Sequence, residues 1–322
     1  MSLKISRLIK RLVIGGAVSS ALLIGSEILA RHMESGSAND TLFNYFFYDE
    51  QQLRKDMIRD GGIFHGGYQV RVNSRGFRDS KPWPPAPRSE SQDQHQRRIV
   101  LGGAGHGYGE NVTDGLIYAH LLEQSLRKRK PTTELYNLSV QGSTILFFER
   151  AVLEEVIEAK PDVVILSYTG FNEALYTRLR EADVLFPHNA VYNLAMSSAL
   201  VRRIHSMLFA ESEQINRVTP DEMIESYRRI LTAFRAHDIE LMLLQQVVIH
   251  PDIEGLWALS EMDAYRERVI QFAQEENIPL ADPLTFCKNL EDCFERKEWY
   301  SATGHRAAFQ SLERYHRFLL NK

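Results

Sequence analysis

The chain has 322 residues, 44% of them hydrophobic, enough to bury the core of one large domain or two small ones. Its 42 acidic residues slightly outnumber its 38 basic ones, and no long basic run occurs outside the first eleven residues, which argues against nucleic acid as a bulk partner. Cys287 and Cys293 are the only cysteines. No second metal-type pair or histidine cluster lies beside them, a pattern that favours a disulfide over zinc in an oxidising compartment.

Lys4, Arg7, Lys10 and Arg11 precede an apolar stretch from Leu12 to Ala30 that is broken only by Ser19, Ser20, Ser26 and Glu27. At 1.5 Å per residue this is about long enough to cross a hydrocarbon core of ~30 Å. Residues 1–31 therefore read as a cytoplasmic basic flank and a transmembrane signal anchor, with the rest of the chain periplasmic or extracellular. A cleaved signal peptide and an amphipathic surface helix are the two rival readings. Gly15, Gly16, Ala17, Ser19 and Ser20 offer small surfaces for contact with another membrane helix.

Residues 32–97 form an extracytoplasmic connecting region. Gly67 to Arg78 read as a hairpin of two short strands around Asn73-Ser74-Arg75-Gly76. Pro82, Pro84, Pro85 and Pro87, followed by the polar run Ser89 to Gln96, read as a stiff and then solvated linker.

The main domain is expected over residues 98–322, where strands and helices alternate. Arg98 to Leu101 is a strand that runs into a glycine-rich turn. Thr113-Asp114 can cap a helix whose Leu116, Ala119, Leu122 and Leu126 share one face. Glu134 to Leu138 is a second strand, Ile145 to Ala159 a helix, and Val163 to Leu166 a strand apolar enough to be buried on both faces. A longer, mostly helical insertion follows over residues 173–218. Thr219-Pro220-Asp221-Glu222 then supplies an N-cap, a proline at the first helical position and a capping-box acid. That helix leads into a strand at Ile239 to Val248, a helix at Met262 to Glu276, a short strand at Pro279 to Ala281 and a closing helix at Thr303 to Leu320. The alternation gives an α/β fold: a three-layer α/β/α sandwich around a mainly parallel, flavodoxin-like doubly wound sheet. In such sheets the ligand site lies beyond the carboxyl ends of the strands.

Four blocks bring chemistry to that edge: Gly102-Gly103-Ala104-Gly105-His106-Gly107-Tyr108-Gly109-Glu110, Ser139-Val140-Gln141-Gly142-Ser143, Gly170-Phe171-Asn172-Glu173, and Trp299-Tyr300-Ser301-Ala302-Thr303-Gly304-His305. In order and spacing, residues 98 to 320 resemble the SGNH hydrolases, also called GDSL-type esterases. The segment Asn73 to Arg78 is similar to the one that precedes the domain in membrane-anchored bacterial members. The resemblance implies a serine nucleophile after the first strand, a glycine N–H and an asparagine amide holding the oxyanion, and a histidine base oriented by an aspartate three residues before it. Gly142 and Asn172 then fill the two oxyanion positions.

The remaining positions depart from the family's pattern. The nucleophile position falls on Ala104 or on Gly105, depending on which glycines are aligned, and neither side chain can attack a carbonyl. The histidine position is Trp299 and the aspartate position is Arg296. The resemblance therefore implies a pseudoenzyme that acts as a binding or assembly component in the cell envelope or a membrane complex, with an acyl group, a glycan or a partner protein as ligand. Tyr108, Trp299 and Tyr300 are the aromatic candidates for contacting it, and serve equally as pocket-filling core residues. The alternative is an active esterase, deacetylase or acyltransferase on envelope glycan or lipid that uses His106 or His305 as acid or base, with Glu173 beside Asn172. Asn172 can also tie adjacent turns together, and Gly142 can simply permit a positive φ. No His/Asp/Glu set has metal-ligand spacing, and the 102–109 turn lacks the Lys-Ser/Thr ending of a phosphate loop, so no metal or cofactor is expected.

Overall fold

The computed structural model describes residues 23–29, 70–86, 96–109, 112–168, 170, 172–174, 176–177, 198, 215–245, 259–295 and 299–321. The chain divides into two compact units, one formed by residues 1–49 with 183–213 and the other by residues 50–182 with 214–322.

The larger unit is built on five strands: β1 (Arg97–Gly103), β2 (Thr133–Asn137), β3 (Val163–Ser167), β4 (Glu240–Leu244) and β5 (Leu280–Ala281). They lie in the order β2-β1-β3-β4-β5, and every pairing is parallel. This is the flavodoxin-like doubly wound order expected from the sequence. Every residue of β1 and of β3 is buried, which is why β3 and the middle of β1, Ile99 to Leu101, read as continuous apolar runs rather than alternating ones.

The two faces of the sheet are covered by different helices. On one face Ile99, Leu101, Val163 and Ile165 pack with Tyr118, Ala119, Leu122 and Leu126 of α2 (Tyr118–Arg129) and with Ala307, Ala308 and Leu312 of α7 (Ala302–Glu313). On the other, Gly102 lies so close to Phe148 of α3 that a Cβ there would overlap the phenyl ring. The helix α3 runs from Ile145–Phe147 through a π turn at Phe148–Val152 into Leu153–Glu158. It packs against α4 (Pro220–Ala236), which in turn contacts α5 (Leu259–Glu275). At the start of α4, Thr219 accepts from the N–H of Glu222 while the Glu222 carboxylate takes the Thr219 N–H, the reciprocal capping box expected there. Among the described residues, short helices α1 (Gly105–Tyr108), α6 (Leu290–Cys293) and α8 (His316–Leu320) accompany these.

Several local expectations are corrected. Residues 70–86 contain the expected turn but no strands. Asn73 N–H donates to Phe77 O at 2.9 Å, and Asn73 Oδ1 accepts from the N–H groups of Arg75 and Phe77, at 3.0 and 3.2 Å, while Asn73 Nδ2 donates to Lys81 O, so backbone and side-chain bonds together close the turn without strands on either side. Nor is the proline segment a free linker: Val70, Phe77 and Trp83 are buried, and Trp83 meets Tyr136 of β2 edge to face. Leu116 is exposed in a 3₁₀ turn (Asp114–Leu116) that Thr113 does not cap, and α2 begins only after Ile117. The closing helix breaks at Arg314 and Tyr315 into α7 and α8. The insertion is closed at its base by an antiparallel pair, Tyr176–Thr177 with Ile215–Asn216; apart from Ser198, residues 178–214 lie outside the described residues.

In the smaller unit, residues 23–29 are helical, and the Ser198 hydroxyl donates to Glu27 Oε2 at 2.6 Å. Among the described residues no helix is long and apolar enough to cross a membrane. Residues 1–22, 30 and 31, which complete the expected anchor, lie outside them.

Candidate functional site

The site expected from the sequence lies where β1, β2 and β3 end. Beyond β1, Ala104 caps α1 with φ −96° and ψ −148° and offers no side-chain bond to the helix. Tyr108 N–H donates to Ala104 O and Gly109 N–H to Gly105 O, both at 2.8 Å, and Gly109 ends the turn at φ 81°. The left-handed φ is one an L side chain adopts at a cost. Both alternative nucleophile positions, Ala104 and Gly105, are buried in this turn. Neither carries a hydroxyl or a thiol.

Arg78 holds the turn in place. Its guanidinium, fully buried, donates to Tyr108 O at 2.8 Å, to Gly109 O and Val112 O, and through Nε to Asp114 Oδ1 at 3.0 Å. Burial lowers its pKa and Asp114 opposes that. The next residue, Asp79, accepts from the N–H of Asn137 at the end of β2, at 3.0 Å, and from the N–H of Lys81. Burial raises the Asp79 pKa, countered first by Lys81 and then by the Asn137 N–H. Two consecutive residues of the 70–86 segment thus fix two different post-strand turns.

The β2 turn is tied to α1 by Asn137, whose Nδ2 donates to Gly107 O at 3.1 Å. Ser139 is buried against Gly103 and Gly107; a Cβ on Gly107 would overlap its hydroxyl. Gly142 has φ 72°, and its carbonyl accepts from Arg217 Nη1 at 2.7 Å. The Ser143 hydroxyl donates to Val140 O at 2.7 Å. From the β3 turn, Asn172 Nδ2 donates to Ser143 O at 2.8 Å, the turn-tying bond that is the alternative to an oxyanion role, while Glu173 Oε1 accepts from Ile145 N–H at the start of α3. Asn172 is therefore tied to the residue that follows Gly142.

The C-terminal block folds onto the β1 turn. Phe294–Glu295 and Trp299–Tyr300 pair antiparallel, and Tyr300 packs its ring 4.4 Å from that of His106, with Phe294 6.5 Å from the same imidazole. Ser301 caps α7, its Oγ accepting from Gly304 N–H. Gly304 then sits directly on Cys293 O, where no Cβ would fit. Cys293 is bonded to Cys287, the pairing expected from the sequence. In the first turn of α7 His305 points inward: its Nδ1 accepts from the backbone N–H of Tyr118 at 3.3 Å, and its ring stacks on the Tyr118 ring. That bond assigns the ring proton to Nε2. Burial, then His106, then Arg78 hold the His305 pKa well below 6.5, so the ring is neutral.

Of the residues singled out from the sequence, the structure gathers His106, His305 and Tyr300 into one buried aromatic cluster, with Tyr108 buried beside Arg78. Tyr108 and Tyr300 are pocket-filling core residues. Arg296 lies outside the described residues, and of Trp299 only the strand position is described. The residues missed by sequence reasoning are Arg78, Asp79, Tyr118 and Ser139. The adjacent Arg-Asp pair was the signal for the first two; Tyr118 and Ser139 contribute through a backbone N–H and a close approach, which leave no sequence mark.

No family model matches the chain, and no curated protein matches it in sequence. Solved structures do match. A lipase/acylhydrolase from Enterococcus faecalis superposes with a TM-score of 0.50 at 13% identity, over 70% of this chain and 98% of that one. A GDSL-like lipase from Bacteroides thetaiotaomicron gives 0.48 at 12% identity, over 73% and 93%. A variant of an acetyl xylan esterase from Geobacillus stearothermophilus gives 0.47 at 15% identity, over 70% and 97%. The larger unit is an α/β domain of the hydrolase-like kind. Its fold is the one seen in that lipase/acylhydrolase.

Proposed function

We propose that this chain is a membrane-tethered pseudoenzyme on an SGNH hydrolase scaffold, serving as a binding or assembly component in the cell envelope or a membrane complex. The observation that carries the reading is the turn after β1, where the position of an attacking hydroxyl is the methyl of Ala104 or the bare Cα of Gly105. Acyl transfer by this scaffold needs a nucleophile, a base and an orienting acid acting as a unit. His305 does not replace the base, because its unprotonated nitrogen is taken by Tyr118 N–H. The tether is supported by the basic flank at Lys4 to Arg11 and by the apolar residues that the 23–29 helix exposes. The domain lies outside the cytoplasm, where the Cys287–Cys293 bond is stable.

The test is turnover of p-nitrophenyl acetate and of acetylated glycans by the purified protein. No turnover above buffer is expected. Turnover that disappears on His106→Ala or His305→Ala would overturn the reading.

A second reading, an esterase, deacetylase or acyltransferase on envelope glycan or lipid, is favoured by one observation: His106 and His305 share one aromatic cluster beside the turn that carries the nucleophile in this fold. The same assay separates the two.

A further inference from the structure

The helix of residues 23–29 is arranged inside out. Leu23, Ile24, Ile28 and Leu29 are 59–63% exposed, whereas Ser26 and Glu27 are half-buried. The Glu27 carboxylate is turned toward the rest of its unit, where it accepts the Ser198 hydroxyl at 2.6 Å. At about 100° per residue, the four exposed side chains fall near ~0°, ~100°, ~140° and ~240° around the helix axis, with Glu27 near ~40° and Ser26 near ~300° between them. A helix in water buries its apolar stripe and exposes its polar face. A helix in lipid does the reverse, with its ionisable residue facing a polar partner in the protein.

We propose that the exposed apolar side chains of this helix are covered by lipid acyl chains, and that Ser198 donates to Glu27 at that depth, so that Ser198 itself lies at the bilayer. The inference rests on the membrane-tether reading above. It adds a second point of the chain, 171 residues further on, within the insertion between β3 and α4. Lipid fits the exposed surface better than a protein groove does. A groove takes one stripe of a helix, at spacings of three and four residues, and leaves the rest to solvent; here the exposed apolar side chains are spread around the helix rather than gathered in one stripe. Lys4, Arg7, Lys10 and Arg11 supply the cationic charge that anionic headgroups attract.

The experiment uses the full chain with its native disulfide intact and one environment-sensitive fluorophore at Ile28→Cys, Ala199→Cys or Thr285→Cys. The protein is reconstituted into phosphatidylcholine/phosphatidylglycerol vesicles whose acyl chains carry a nitroxide quencher. Loss of most of the fluorescence is expected at positions 28 and 199, and none at Thr285, an exposed residue of the larger unit. Leu200→Cys gives a second probe should the first disturb folding. Quenching at 28 but not at 199 or 200 would overturn the placement of Ser198 while leaving the tether standing. Absence of quenching at all three would overturn both. Disulfide cross-linking between copies through Ile28→Cys, without quenching, would make the face an interface between copies and overturn the lipid assignment. Ser198→Ala is expected to weaken quenching at 199 and not at 28; an unchanged signal at 199 would remove Ser198 from its role.

Discussion

The backbone N–H of Tyr118 donates to Nδ1 of His305 across 3.3 Å, inside a cluster where both residues are fully buried. This one bond turns a histidine in the first turn of the last helix into a structural acceptor. It also predicts how the protein responds to acid. The folded state holds His305 neutral, with a pKa well below 6.5, while the unfolded chain takes up a proton near 6.5. Below that pH the unfolded state binds more protons, so stability falls as pH drops through about 6.5 and goes on falling until the folded pKa is reached. Urea melts at a series of pH values are expected to show this slope, and His305→Asn, which keeps an acceptor for Tyr118, is expected to reduce it. An unchanged slope in the variant would show that other groups carry it.

Arg78 is the central tie between the 70–86 segment and the β1 turn. Replacing it with Met leaves Asp114 and the carbonyls of Tyr108, Gly109 and Val112 without their buried donor. Loss of about 2–4 kcal/mol of unfolding free energy is expected, because three carbonyls lose a buried donor while the partly exposed Asp114 keeps its contact with solvent and with Arg71 N–H. Arg78→Lys is expected to recover only part of it, since an ammonium cannot reproduce the planar fork. Equilibrium denaturation measures both, and a loss within error of zero would mean that the turn holds without the segment.

Gly107 has no room for a side chain. A Cβ there would overlap Ser139 Oγ and come within 3.1 Å of Tyr118 OH. Gly107→Ala is expected to cost about 1–3 kcal/mol by overpacking, and Ser139→Gly in the same protein is expected to return part of that. Additive losses in the double variant would show that the clash lies elsewhere.

The Cys287–Cys293 bond closes a short loop whose second cysteine is buried against Gly304 of α7. Loop-closure entropy for seven residues gives about 2 kcal/mol, so reduction is expected to lower Tm by roughly 4–8 °C. Differential scanning with and without reductant reads it directly.

The sheet was legible because β1, β3 and β4 are buried on both faces and so appear as short apolar runs, while Thr219 to Glu222 announced α4 by a complete capping box. Alternation pointed to a parallel sheet with helices on both faces but does not by itself choose between the doubly wound strand orders. What the sequence concealed was the role of residues 70–86. Asn73 to Phe77 carries the composition of a hairpin turn, but its bonds close a local turn shared between the Asn73 side chain and backbone, without strands on either side, and composition does not distinguish the two. Within the site, Gly142 and Asn172 were named through the family resemblance, and Asn172 Nδ2 donates to Ser143 O, the turn-tying bond that was the other reading of that residue. The Tyr118–His305 bond was not, because its donor is a backbone group 187 residues away from its acceptor.

The central claim is that no nucleophile operates at the carboxyl edge of this sheet. Its most direct measurement is labelling of the folded protein with a fluorophosphonate, followed by intact-mass and peptide analysis. A functioning serine in an acyl-transfer site becomes covalently phosphonylated, whereas an unactivated hydroxyl does not. No adduct is expected on the native protein. A stoichiometric adduct on Ser139, Ser143 or Ser167, lost when the protein is unfolded before labelling, would contradict the account and make this scaffold an enzyme.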